Sequence, residues 1–154
     1  MGNLPFCSNI FDAFFSTLSF HWINDPKSFL IDVLRILKPN GFILINFLGG
    51  KTLNELRKVL IQAELNILNG SHQRILPFLE IKTIGDIFSS SGFEVNVIDS
   101  QIFNVTYSNL KKLIYDLRVM GETSNIMGRS QYLRKDVFKL ASEIYKKDFS
   151  FSKT

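Results

Sequence analysis

Cysteine, histidine and tryptophan are scarce in this 154-residue chain, which has one, two and one of them respectively. The single cysteine, Cys7, excludes an internal disulfide and a cysteine metal cluster, and it reads as an inert small hydrophobe in a reducing, cytoplasmic setting. With so few soft or imidazole ligands, no metal site is expected. No apolar run approaches the ~18 residues that a membrane span needs. The longest, Gly41 to Leu48, has the length of a strand and is interrupted by Asn46. The N-terminus lacks the basic segment and following apolar stretch of a secretory signal. Neither a G-x-S-x-G nor a G-x-x-x-x-G-K-[ST] motif occurs, and no G-x-G-x-x-G follows a strand-like run.

What is present is apolar and aromatic. Hydrophobic residues make up 45% of the chain and 15 of its residues are phenylalanine, enough to fill the core of a single domain. Charge is uneven. Residues 1–105 hold 8 basic and 9 acidic side chains, whereas residues 106–154 hold 10 and 5. A basic C-terminal region reads first as the solvated face of terminal helices. It has no interleaving of aromatic and basic residues, so a nucleic-acid partner is not expected.

Hydrophobic patterning places a buried strand at Ala13 to Leu18. Asn24-Asp25-Pro26 then offers a helix cap followed by a proline suited to the first helical position. Leu30, Val33, Leu34 and Leu37 fall on one helical face, and Lys38-Pro39-Asn40-Gly41 stops that helix. Phe42 to Leu48 is apolar on both sides, as expected of a parallel strand covered by helices. Strand, capped helix and strand make a βαβ unit.

Gly49-Gly50 turns the chain, and Thr52 with Glu55 has capping-box spacing. Leu53, Leu56, Leu60, Ala63 and Ile67 mark a long helix ending at Asn69-Gly70. Thr83 with Asp86 opens a shorter helix that ends near Ser91-Gly92. Phe93, Val95 and Val97, and then Phe103, Val105 and Tyr107, alternate as two half-buried strands. Ser108 caps a helix ended by Gly121, and Leu133, Val137, Leu140 and Ile144 mark the last one. The expected fold is α/β: a partial Rossmann-like sheet with two parallel strands at its start, mixed strands beyond and a helical C-terminal part. The expected organisation is one domain over 1–154, with a sheet region at 4–107 and helices at 108–149.

Chemistry-bearing residues are few. Ser19-Phe20-His21-Trp22 follows the first strand, and open α/β sheets bind ligands beyond the C-terminal ends of their parallel strands. His21 could act as an acid or base there, and Trp22 could stack on a ligand. The alternative is a satisfied histidine and a packing tryptophan. Gly49-Gly50 could present N–H groups to an anion, or serve only to turn the chain. Arg57 and Arg74 could bind acidic groups, or be ordinary surface arginines.

Several of these segments together resemble a known family. Phe11-Asp12-Ala13, Ser16-Thr17-Leu18-Ser19, His21-Trp22 and Leu37-Lys38-Pro39-Asn40-Gly41 stand in the order and spacing that class I S-adenosylmethionine-dependent methyltransferases show from their fourth strand to their fifth. Gly49-Gly50-Lys51-Thr52-Leu53, Glu55-Leu56-Arg57, Asp116-Leu117-Arg118 and Met120-Gly121-Glu122 are similar to the subgroup containing the malonyl-carrier-protein methyltransferases of biotin synthesis. They are more similar still to the methyltransferase-like assembly factors of mitochondrial respiratory NADH dehydrogenase.

The resemblance runs from about Leu4 to Tyr145. It implies S-adenosylmethionine as cofactor, with Ser16, Thr17 and Leu18 lining its methionine portion and His21 and Trp22 facing the reaction. Leu4-Pro5-Phe6 resembles the segment just before the fourth strand. The glycine-rich loop and acidic ribose ligand of the family's first strands therefore have no counterpart in these residues. The implied function is methyl transfer by descent, with weak or no cofactor binding by the chain alone. A non-catalytic binding module, and half of a split enzyme related to the arginine-hydroxylating assembly factors, are the alternatives. The expected partners are a separately encoded N-terminal half or a second copy.

Overall fold

The computed structural model describes residues 4–94, 97–123 and 132–149. The chain forms two compact units, one from residues 1–52 and 78–101, the other from residues 53–77 and 102–154.

In the first unit, β1 (Phe11–Thr17) is followed by a single 3-10 turn, Phe20–Trp22, then α1 (Pro26–Ile36) and β2 (Leu37–Asn46). Asp25 caps α1 as its sequence predicts, its side chain accepting from the Ser28 N–H at 3.1 Å, with Pro26 in the first turn. Leu30, Val33 and Ile36 form the buried face of α1. β1 and β2 pair in parallel, from Ala13 opposite Phe42 to Thr17 opposite Asn46.

The stop signal at Lys38-Pro39-Asn40-Gly41 lies within β2, not in a loop before it. Phe11 pairs with Leu37 and Ala13 with Phe42, so β2 bulges between them. Asn40 takes a left-handed conformation at φ 65, and a Cβ on Gly41 would stand 2.9 Å from the Lys38 carbonyl oxygen. Lys38 reaches back across the bulge to Asp12 at 2.9 Å.

Alternation along the pair sorts its side chains to two faces. Phe14 meets Phe29 of α1 edge-on, with ring centroids 5.8 Å apart. Phe15 and Phe42 meet at 5.6 Å on the other face, where they are 63% and 55% exposed. The unit is completed by α3 (Ile81–Ser90), which packs against α1. Its N-cap is Glu80, so Thr83 lies inside the helix and does not open it.

The second unit holds α2 (Asn54–Leu68), α4 (Leu110–Val119) and α5 (Lys135–Phe149), with α5 packed against the other two. The capping box at Thr52 and Glu55 does not form. Leu53 is the N-cap in a left-handed conformation at φ 57, without a side-chain cap. The buried residues of α2 include Val59 and Glu64 beside the expected Leu56, Leu60 and Ala63. Asn109, one residue after the expected Ser108, caps α4 by accepting from the Lys112 N–H at 2.9 Å. Val137, Ala141 and Tyr145 are the buried stripe of α5.

The sheet has two strands. The mixed strands expected beyond β2 are not formed among the described residues: Phe93, Val97 and the run Phe103 to Tyr107 have no regular pairing, and Val95 lies outside them. Alternation makes a strand only where a neighbouring edge accepts its hydrogen bonds, and Phe103 is 80% exposed. The architecture is thus mixed α/β with a small parallel sheet and helices, consistent with a methyltransferase-like fold.

Candidate functional site

The C-terminal edge of the β1–β2 pair carries the candidate residues. Leu18 follows β1 in a left-handed conformation at φ 50, and its N–H donates to the Asn46 carbonyl at 2.8 Å. That bond extends the ladder by one step while the backbone turns out of the sheet. Ser16 and Ser19 close on each other, hydroxyl to hydroxyl, at 2.9 Å. Thr17 and Leu18 are exposed and Ser16 is half-buried. The three positions expected to line a cofactor therefore form an accessible strand end with hydroxyl groups.

His21 and Trp22 are carried by the 3-10 turn, which Phe20 anchors. Phe20 is 1% exposed and sits among Phe47 at 5.0 Å, Phe29 at 6.2 Å and Phe88 at 6.2 Å, centroid to centroid. With Phe20 pulled into the core, its two successors stay at the rim, both half-buried. The His21 ring lies 5.4 Å from Trp22 and 5.7 Å from Phe78. An imidazole between two aromatic rings, at the end of a parallel strand, can exchange a proton with a ligand held there.

Across the edge, the turn after β2 is closed by the Thr52 N–H donating to the Gly49 carbonyl at 2.9 Å. The Glu80 carboxylate lies over this turn: a Cβ on Gly50 would stand 2.3 Å from Glu80 Oε1. A carboxylate in that position repels an external anion, so the structure favours a conformational role for Gly49-Gly50. Arg57 and Arg74 are likewise committed internally. Arg57 donates to the Leu76 carbonyl at 3.0 Å, and Arg74 Nε donates to Glu64 at 2.7 Å. Neither Phe78 nor Glu80 is legible at this edge from the sequence, because both arrive from a segment without periodicity.

The sequence is similar to those of several known proteins. Residues 1–45, spanning β1, the 3-10 turn, α1 and most of β2, match the family model described as "Methyltransferase domain". The chain's first 45 residues are therefore similar to a methyltransferase domain. More particularly, the chain resembles two groups of proteins. It is 38% identical to the mitochondrial arginine-hydroxylase NDUFAF5 of Dictyostelium discoideum, over 88% of this chain and 31% of that protein. Its identity to the human protein of the same name is 35%, over 93% of this chain and 41% of the relative. A malonyl-[acyl-carrier protein] O-methyltransferase of Gallionella capsiferriformans is 32% identical over 84% of this chain and 43% of the relative.

The chain thus spans less than half the length of these relatives. No solved structure gives a significant match. The arginine-hydroxylases are named as mitochondrial, unlike the cytoplasmic placement expected from the sequence. No helix among the described residues is long and apolar enough to cross a membrane.

Proposed function

We propose that this chain forms one wall of an S-adenosylmethionine site in a methyltransferase-like protein, and that the side chain presented to this wall is an arginine, the residue its arginine-hydroxylase relatives are named for. The observation that carries the reading is the accessible edge built by Ser16 to Trp22 at the end of a parallel strand. Its hydroxyl groups, the turned-out backbone at Leu18 and the half-buried aromatic pair suit a ligand with a polar amino-acid end and a reactive centre. Ser16, Thr17 and Leu18 hold the methionine portion. The cofactor, when bound, supplies an activated methyl group. Trp22 shields the reaction region from water, and His21 holds or moves a proton at its imidazole. The arginine-directed reading is favoured over malonyl-carrier methylation because identity to the arginine-hydroxylases is higher and extends over more of the chain.

No glycine-rich strand–loop–helix occurs in these residues, so the wall by itself lacks the groups that grip the rest of the cofactor. Orientation of bound reactants supplies roughly 7–11 kcal/mol of barrier lowering. The test is calorimetric titration of S-adenosylmethionine into the chain alone, then into the chain co-expressed with the part of the human relative that precedes its matched segment. The chain alone is expected to show no saturation at micromolar cofactor and the pair to bind. A pair that does not bind the cofactor saturably, or one indifferent to Leu18→Asp, would overturn the assignment.

A further inference from the structure

Glu80 has no counterpart in the cofactor wall. Like Asp86 and Glu94, it is an acidic side chain of the first unit that no hydrogen bond or ion pair engages among the described residues, but it alone of the three lies against the turn after β2. Asp12 is paired with Lys38, Asp25 caps α1, and Asp32 binds Arg35 and the Leu4 N–H. Glu80 is exposed, and no hydrogen bond or ion pair engages its carboxylate among the described residues. It occupies the N-cap of α3 without capping it. Its side chain instead folds over the turn at Gly50, where a Cβ would collide with it at 2.3 Å. Glycine at 50 makes the room, and the α3 N-terminus favours the negative charge.

Two residues earlier on the same segment, Phe78 stands edge-on to His21 at 5.7 Å, and His21 lies 5.4 Å from Trp22. The segment from Phe78 to Glu80 therefore brings an uncommitted carboxylate and an aromatic surface to the edge that carries the candidate reaction centre.

Guanidinium is the cation this combination fits. It accepts bidentate pairing with a carboxylate and stacks on aromatic faces, which a compact ammonium does less well. We propose that Glu80 is the specificity-determining residue for the arginine side chain of an acceptor protein, with the aromatic edge at Phe78 and Trp22 flanking it. This rests on the arginine-directed reading above and assigns that reading a recognition residue.

Trp22 is the only tryptophan in the chain, so its fluorescence reports this edge directly. The test titrates the full chain with N-acetyl-arginine amide and with its neutral counterpart, N-acetyl-citrulline amide. The arginine probe is expected to change Trp22 emission saturably, and the citrulline probe to leave it unchanged. Glu80→Gln should weaken arginine binding by about tenfold, as loss of a charge-assisted pair does. Gly50→Ala, which displaces the carboxylate, should weaken it in the same direction. Glu94→Gln, beyond the other end of α3, should not. Equal binding of both probes, or unchanged affinity in both Glu80→Gln and Gly50→Ala, overturns the proposal. The titration needs no cofactor. Arginine modification by the paired assembly, detected by mass spectrometry, tests the broader reading separately.

Discussion

The buried Glu64 should be the most sensitive single position in the second unit. It lies on α2 with its side chain fully buried, and its two oxygens are both used. Arg74 Nε donates to Oε1 at 2.7 Å, and the His72 backbone N–H donates to Oε2 at 2.6 Å. The Arg74 side chain is only 11% exposed, so water does little to compensate for a lost partner. Replacing Glu64 with leucine removes the carboxylate from a largely buried guanidinium and from an N–H together. Hydrogen bonds to charged groups contribute about 1.5–3 kcal/mol each, and breaking one side of a buried pair costs about 3–5 kcal/mol. Taking ~4 kcal/mol and a urea slope of ~2 kcal/mol per molar, the unfolding midpoint should fall by roughly 2 M.

The paired replacement, Glu64→Leu with Arg74→Met, should recover most of that loss, because no charge is then left uncompensated in the interior. Urea titration followed by circular dichroism measures all three variants. A single variant within about 0.5 kcal/mol of wild type would refute the reasoning. So would a double variant that is no more stable than Glu64→Leu alone. Protease sensitivity of the segment from Ser71 to Pro77 should rise in Glu64→Leu, since Glu64 is the anchor to which His72 and Arg74 are tied.

Other perturbations follow from the same geometry. His21→Ala should lower the rate of a complemented assembly by about 10²–10⁴-fold with little change in melting temperature, and an unchanged rate with a lowered melting temperature would assign His21 to packing. Phe15 faces outward on the open side of the sheet, so Phe15→Lys should reduce concentration-dependent association in analytical ultracentrifugation. Phe14→Lys should instead unfold the unit, because Phe14 packs on α1. A Phe15→Lys variant that associates like wild type would remove the sheet face from consideration. The Leu4 N–H, helped by Arg35 and opposed by burial, holds the Asp32 carboxyl below its usual value of 3.8. A depressed folded-state value stabilises the protein above the usual value and loses that effect as pH falls through the depressed one. Wild type should therefore exceed Asp32→Asn in stability at neutral pH, with the gap closing in acid, as thermal melts across pH would show.

The elements legible in the sequence are those set by neighbours in the chain. Asp25 and Pro26 start α1, the spacing of Leu30 and Val33 gives its buried face, and the apolar runs on either side become β1 and β2. Caps and i, i+4 stripes act over one or two turns, so they can be read without knowing what lies opposite. The placement of Ser16 to Trp22 at a parallel strand's end followed from the same βαβ reading.

The rest depends on contacts between segments far apart in the sequence. Phe103, Val105 and Tyr107 alternate like a strand, but a strand exists only where another edge pairs with it. Thr52 and Thr83 have capping chemistry, yet the helices begin where the incoming backbone turns, at Leu53 and Glu80. Glu64 is buried where the folded loop brings Arg74 and the His72 N–H to it. Glu80 comes to the sheet edge where Gly50 makes room for its carboxylate. Burial of a charge, pairing of an edge and convergence of side chains at a site are properties of pairs of segments. One segment's sequence carries only half of each.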